Sequence, residues 1–170
     1  MKSGITKFIS LLVILLLAFS LFACQKKATQ VTIEMDKGGN IVMEFFAKDA
    51  PKTVNNFLKL TNEKFYDGLI FHRVEPGFVV QGGDPRGNGT GGPGYTIKFE
   101  ASSRLHTTGA VAMARMKDPD SAGSQFYICL DDAKHLDTKY TVFGQVVEGM
   151  DVVNNIKRGD IMKRVYVSSP

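Results

Sequence analysis

The residues able to do chemistry gather in residues 71–84, FHRVEPGFVVQGGD, where one Arg, one Gln, two Phe and a Gly pair share a run that alternates strand patterning with turn residues. Arg73 carries a donor that stays charged at any relevant pH. Strand alternation places Val79 and Gln81 on one face, and Gln125 and Tyr127 on one face of a second strand. A polar Gln beside an apolar residue on one face suits a groove, because a dry core would leave the amide unpaired. On pattern alone, Phe78, Val79, Tyr127 and Leu136 each read more readily as plain core than as pocket. The set can hold an apolar group and aim a fixed positive donor at it. The three histidines, His72, His106 and His135, are too far apart in the chain to show a metal spacing.

These residues must be carried by short elements. Residues 31–35 and 41–45 alternate with period two, and Lys37-Gly38-Gly39-Asn40 between them reads as a hairpin turn. Asp49-Ala50-Pro51 predicts a helix start, with Asp as cap and Pro in the first turn. Val54, Phe57, Leu58 and Thr61 then form an apolar face at i, i+3, i+4, i+7 that packs on a sheet. Further strands are predicted over 69–73, 78–81, 109–114, 124–130, 141–147 and 162–167, with a short helix over 150–156. Many short strands and two helices fit a closed antiparallel barrel or a sandwich, and pattern leaves the two about even.

The chain has 170 residues, 44% of them hydrophobic, with 17 Gly. That is enough for one domain with a real core. Residues 1–23 read as a targeting segment: Lys2 and Lys7 precede a 16-residue apolar run over 8–23. The run is short of the ~20 residues a spanning helix needs. It ends in Leu21-Phe22-Ala23-Cys24, which resembles a bacterial lipoprotein box, with Phe22 departing from the usual small or branched residue. The resemblance implies acylation of Cys24, a polar tether over 24–30 and a folded domain over 31–170. Loss of Lys2 and Lys7 with the signal lowers the net charge from +4 to +2. The remaining Lys and Arg are scattered, with no basic stripe interleaved with aromatics, so no nucleic-acid partner is expected. Acyl chains on Cys24 would hold the domain on a membrane surface. Fully extended, the tether reaches about 20 Å. Cys129 is then the one thiol left, read as a small core residue.

Three ordered motifs carry a resemblance to the cyclophilins, the peptidyl-prolyl cis-trans isomerases of that type. FHRVEPGFVVQGGD resembles the first signature, Gly123-Ser124-Gln125-Phe126-Tyr127-Ile128-Cys129 the second and Val142-Phe143-Gly144-Gln145-Val146 the third. The resemblance runs from about Val31 to Val167. It implies a mainly β fold, a closed eight-stranded antiparallel barrel capped by two helices. It implies rotation about Xaa-Pro bonds, a barrier of about 18–20 kcal/mol set by amide resonance. That chemistry needs no nucleophile, metal or cofactor. An acceleration on the order of 10⁵ asks for about 7 kcal/mol, whereas one charge-assisted hydrogen bond supplies roughly 1.5–3 kcal/mol. The rest must come from binding the twisted amide better than the planar ones.

By the same resemblance Arg73, Gln81 and Phe78 are the catalytic set. Arg73 donates toward the prolyl nitrogen, and Gln81 binds substrate backbone. Val79, Tyr127 and Leu136 complete the proline pocket, with the Tyr127 hydroxyl expected to point toward water. Gln125, Ala114, Arg115, Met116, His135 and Tyr140 line the substrate groove, and His72 is supporting structure. Ala114-Arg115-Met116 stands where Ala-Asn-Ala is usual, and Tyr140 where a His is common. His135 stands where many members have Trp, whose indole N–H contacts cyclosporin, so weak cyclosporin binding is expected. The expected partners are proline-containing polypeptides, engaged by a monomer lipid-anchored outside the cytoplasm of a bacterium. The rival reading is a proline-peptide binding or holdase module that keeps the groove without turnover. Residues 87–92 formally fit G-x-G-x-x-G but run into Gly92-Pro93-Gly94, where no helix can start; they read as a flexible surface loop.

Overall fold

A computed structural model describes residues 29–168. The targeting segment, Cys24 and most of the tether lie outside the described residues. Gln30, assigned above to the tether, is instead the first residue of a strand.

The described region opens with β1 (Gln30–Met35) and β2 (Asn40–Phe45), paired so that Ile33 faces Ile41 and Val31 faces Met43. The predicted turn joins them. Gly38 and Gly39 both take positive φ, which lets the Met35 N–H reach the Gly39 carbonyl at 3.0 Å. Helix α1 (Pro51–Asn62) follows, with Pro51 in its first turn. The expected Asp49 cap is not formed. Asp49 pairs with Arg104 at 3.0 Å instead. Glu100, far along the chain, accepts from the Lys52 and Thr53 N–H groups at 3.0 and 2.7 Å. A carboxylate there satisfies orphan N–H groups and complements the helix dipole.

The remaining strands are β3 (Arg73–Glu75), β4 (Val79–Gly82), β5 (Ala110–Met113), β6 (Phe126–Cys129), β7 (Val142–Glu148) and β8 (Met162–Ser168). Helix α2 (Met150–Asn154) lies between the last two. All eight strands form one antiparallel sheet in the order β3-β4-β6-β5-β7-β2-β1-β8. The expected closed barrel is therefore corrected to an open half-barrel, because β3 and β8 do not pair as strands. The segment just before β3 meets the start of β8 and the residue pair ahead of it instead. The Gly68 N–H donates to the Met162 carbonyl at 2.7 Å, the Met162 N–H to Leu69 at 2.9 Å, and the Phe71 N–H to Asp160 at 2.9 Å. The strand expected over 69–73 thus shrinks to this seam plus β3, since Asp67-Gly68 turns the chain.

Both faces of the central strands are covered. Val80, Val111, Phe126 and Ile128 point into the main core with Phe57 and Leu60 of α1 and Val153 of α2. Phe57 sits at its centre, with ring centroids 4.9 Å from Tyr66, 5.3 Å from Phe126, 5.3 Å from Phe143 and 5.4 Å from Phe45. Alternation sends Val79, Ala110, Ala112, Tyr127 and Cys129 to the opposite face, where Phe78, Leu136 and Tyr140 pack on them. Burial pushes the Cys129 thiol up to about 12, with Asp137 and Asp132 adding to the rise, as an inert core residue requires.

Candidate active site

Sheet register assembles the site. Arg73 pairs with Gln81, Gln81 with Tyr127, and Tyr127 with Ala112, so one row crosses β3, β4, β6 and β5 on the outer face. A pocket opens over this row. Its lining grades by burial: Val79 and Tyr127, both buried, make the floor, half-buried Phe78, Gln81, Ala114, Arg115, Leu136 and Tyr140 the walls and rim, and Arg73 stands exposed beside them. Gln125 and Met116 line an adjoining pocket that shares Gln81, Ala114 and Arg115 with the first. His135 stands outside both and stacks on Phe78, centroids 5.5 Å apart.

The donor is aimed by a polar chain. Arg73 Nη1 donates to Gln81 Oε1 at 3.3 Å, and Gln81 Nε2 donates to Gln125 Oε1 at 2.9 Å. Gln125 Nε2 then donates to the carbonyls of Gly89 and Gly91 at 3.0 and 2.8 Å. Arg73 also lies 5.8 Å from the Phe78 ring centroid and 3.6 Å from Glu75 Oε1. Its side chain is 43% exposed, so solvent screens the Glu75 pair.

The glycine loop expected to be flexible is tied down at its base. The Asp84 carboxylate accepts from the N–H groups of Arg86, Asn88 and Gly89, at 2.8 and 3.0 Å for the first two. A Cβ at Gly91 would come within 2.0 Å of Asp84 Oδ1, so the turn needs Gly there. Burial works to raise the Asp84 carboxyl. The three N–H donors outweigh it and hold the group below its ordinary value. A depressed carboxyl stabilises the fold above its unfolded pKa, about 3.9, and that contribution is lost as pH falls through the lower folded value. Asp84→Asn is therefore expected to flatten the acid limb of a melting-temperature profile below about pH 4. An acid limb identical to wild type would show that this loop does not contribute.

One predicted role changes on inspection. The Tyr127 hydroxyl does not face water. Tyr127 is 5% exposed, and its hydroxyl lies 3.0 Å from His106 Nε2. Burial, reinforced by Cys129 and Tyr140, pushes this phenol far above its usual range. Arg115 lines both pockets, with its guanidinium spent on neighbouring carbonyls. Its Nη2 and Nε donate to the Lys139 carbonyl at 2.8 and 3.2 Å, its Nη1 to Met116 and Lys117, and it stacks over Tyr140 at 4.7 Å. It braces the rim. His72 is buried with neither ring nitrogen bonded to protein, and burial lowers its pKa despite Asp84 nearby, so it stays neutral packing. Sequence reasoning missed Asp84, His106 and Asp137. A carboxylate just ahead of a Gly-rich turn was a readable signal for Asp84. Chain spacing holds none for His106.

A permanent cation faces an apolar pocket, and no nucleophile stands beside a base among the described lining residues. Such a site can seat an apolar ring and aim a fixed donor at it, which suits an enzyme that turns a bond without cleaving it. The comparisons name the family. The description "Cyclophilin type peptidyl-prolyl cis-trans isomerase" matches residues 30–169. A Helicobacter pylori peptidyl-prolyl cis-trans isomerase is 49% identical over 147 residues, covering 84% of this chain and 89% of its own. Peptidyl-prolyl cis-trans isomerase B of Bacillus subtilis is 51% identical over 135 residues, covering 78% and 94%. The crystal structure of a Cryptosporidium parvum cyclophilin type isomerase in the presence of the dipeptide Ala-Pro superposes with TM-score 0.76 at 30% identity, covering 83% of this chain and 99% of that one. The chain belongs to the cyclophilin-type peptidyl-prolyl cis-trans isomerases.

Proposed function

We propose that this groove accelerates Xaa-Pro rotation in unfolded or newly exported polypeptides, with Arg73 as donor and no covalent intermediate. Family membership makes the chain a peptidyl-prolyl cis-trans isomerase. The observation that carries the mechanism is the row Arg73–Gln81–Tyr127 across β3, β4 and β6, with Arg73 held by Gln81 at the pocket mouth. The prolyl ring enters the apolar pocket over Val79, Tyr127 and Leu136, with Phe78 at its rim. The preceding carbonyl stays free to turn. As resonance breaks, the lone pair localises on the prolyl nitrogen, and Arg73 donates to it. This interaction is strongest in the twisted state, as rate acceleration requires. Gln81 and the backbone of Ala114 hold the extended peptide, while Arg115 and Met116 shape its wall.

Exchange of an Ala-Pro peptide followed by NMR tests the reading. Catalysed exchange supports it, and slow exchange despite measurable peptide binding would favour a holdase. The His135 position gives a second test. His135→Trp is expected to tighten cyclosporin about fivefold, the value of one neutral hydrogen bond of about 1 kcal/mol. An unchanged Kd by titration would place the weakness elsewhere in the groove.

The anchor is part of the same proposal. Cleavage before Cys24 and acylation of its sulfur would place a monomeric domain on the outer side of a bacterial membrane, near exported chains. The support is the apolar run ending in Leu21-Phe22-Ala23-Cys24. Metabolic labelling with a radioactive fatty acid decides it. Label in wild type and none in Cys24→Ala is expected; equal label in both would remove the anchor.

A further inference from the structure

The Asp137–His106–Tyr127 chain joins two walls of the proline pocket that no strand pairing connects. His106 is 1% exposed and enters just before β5. Asp137 Oδ1 accepts from the His106 backbone N–H at 2.8 Å and faces His106 Nδ1 at 2.9 Å. These two bonds hold the Asp137 carboxyl below its ordinary value. An ionised carboxylate can only accept, so Nδ1 carries the imidazole proton. Nε2 then presents its lone pair to the Tyr127 hydroxyl, which donates to it across 3.0 Å. The two rings lie nearly parallel, 15° apart. Asp137 directly follows the 3₁₀ turn Lys134–Leu136, which carries the Leu136 wall. The Ala133 N–H, ahead of that turn, donates to the His106 carbonyl at 2.7 Å. One buried histidine therefore holds the Leu136 wall at both its ends and the floor by its ring.

We propose that His106 is a positioning residue of the proline pocket, fixing the separation between the Tyr127 floor and the Leu136 wall through this chain. The proposal deepens the isomerase reading and rests on it. It also explains why a tyrosine serves in an apolar pocket: its hydroxyl is turned away and consumed, so the ring meets substrate as a phenyl would. Substrate never touches His106. Its effect falls on how well a prolyl ring fits, more than on the donor that drives rotation.

The test uses the full chain, with peptide affinity and turnover read separately. His106→Leu is expected to raise the Kd of an Ala-Pro peptide about tenfold, the factor that 1.4 kcal/mol represents, while kcat at saturating peptide changes less. Combined with Tyr127→Phe, the two changes are expected to cost less than the product of their separate factors, since they break one chain. ¹⁵N NMR supplies a readout that needs no substrate. Wild-type His106 should carry its proton on Nδ1, and its Nε2 signal should move in Tyr127→Phe, a variant that keeps the ring and folds if His106→Leu does not. A proton on Nε2 in wild type, independent multiplication of the two factors, or a loss of kcat at unchanged Kd would each overturn the proposal. Absent turnover in wild type would defeat the isomerase reading alone, because tautomer and Kd still judge His106.

Discussion

Arg73→Ala is expected to lower kcat/KM for an Ala-Pro peptide by about 10²-fold while leaving peptide binding within a small factor. A charge-assisted hydrogen bond is worth roughly 1.5–3 kcal/mol, and removing a preorganised donor aimed at developing charge costs about 10²–10³ in other enzymes. The lower end applies because the Arg73 side chain is 43% exposed and partly screened. Binding survives because Val79, Tyr127 and Leu136 hold the ring without it. Arg73→Lys should recover only part of the rate. Lysine keeps the charge but loses the planar fork that reaches Gln81 and the substrate together. Comparing kcat and KM by NMR exchange and titration decides the matter. Equal catalysis in wild type and Arg73→Ala would remove the donor from the mechanism.

Phe57→Ala is expected to give the largest loss of stability. Phe57 is fully buried among Phe45, Tyr66, Phe126 and Phe143. Truncating a buried Phe costs about 3–5 kcal/mol through lost transfer energy and the cavity left behind. For a domain of this size, that lowers Tm by about 10–15 °C. The consequence reaches the groove, because Phe126 pairs with Gly82 and precedes Tyr127 in β6. Calorimetry measures it. A drop of only ~2 °C would mean that the four neighbouring rings collapse into the space.

The periodic elements were legible in the sequence for a physical reason. In β4 and β6 alternation separates Val80 and Ile128, which face the main core, from Val79, Gln81 and Tyr127, which face the groove. Alternation showed which residues of 71–84 share a face, while their roles came from the resemblance the motif carries. Whatever depended on distant partners stayed hidden. The helix cap lay 48 residues beyond Lys52 of α1's first turn, at Glu100, while adjacent Asp49 looked suitable. The Tyr127 hydroxyl was assigned to water because its partner, His106, sits 21 residues upstream with no spacing to link them. The closed barrel was implied by the resemblance alone; a β-rich pattern fixes how many strands form, and not whether the first and last edges pair.

The pairing of Gln30 with Ser168 brings the entry and exit of the folded region to one point, on β1 and β8. The groove strands β3, β4, β6 and β5 occupy the other end of the sheet order. A domain whose ends leave side by side is a portable cassette: it can be spliced into a loop of a host protein, or have its ends joined and reopened elsewhere, without prising the sheet apart. Neither β1 nor β8 contributes a residue to the groove, so such a module can be carried on a tether, a fusion or an insertion with its catalytic face unchanged.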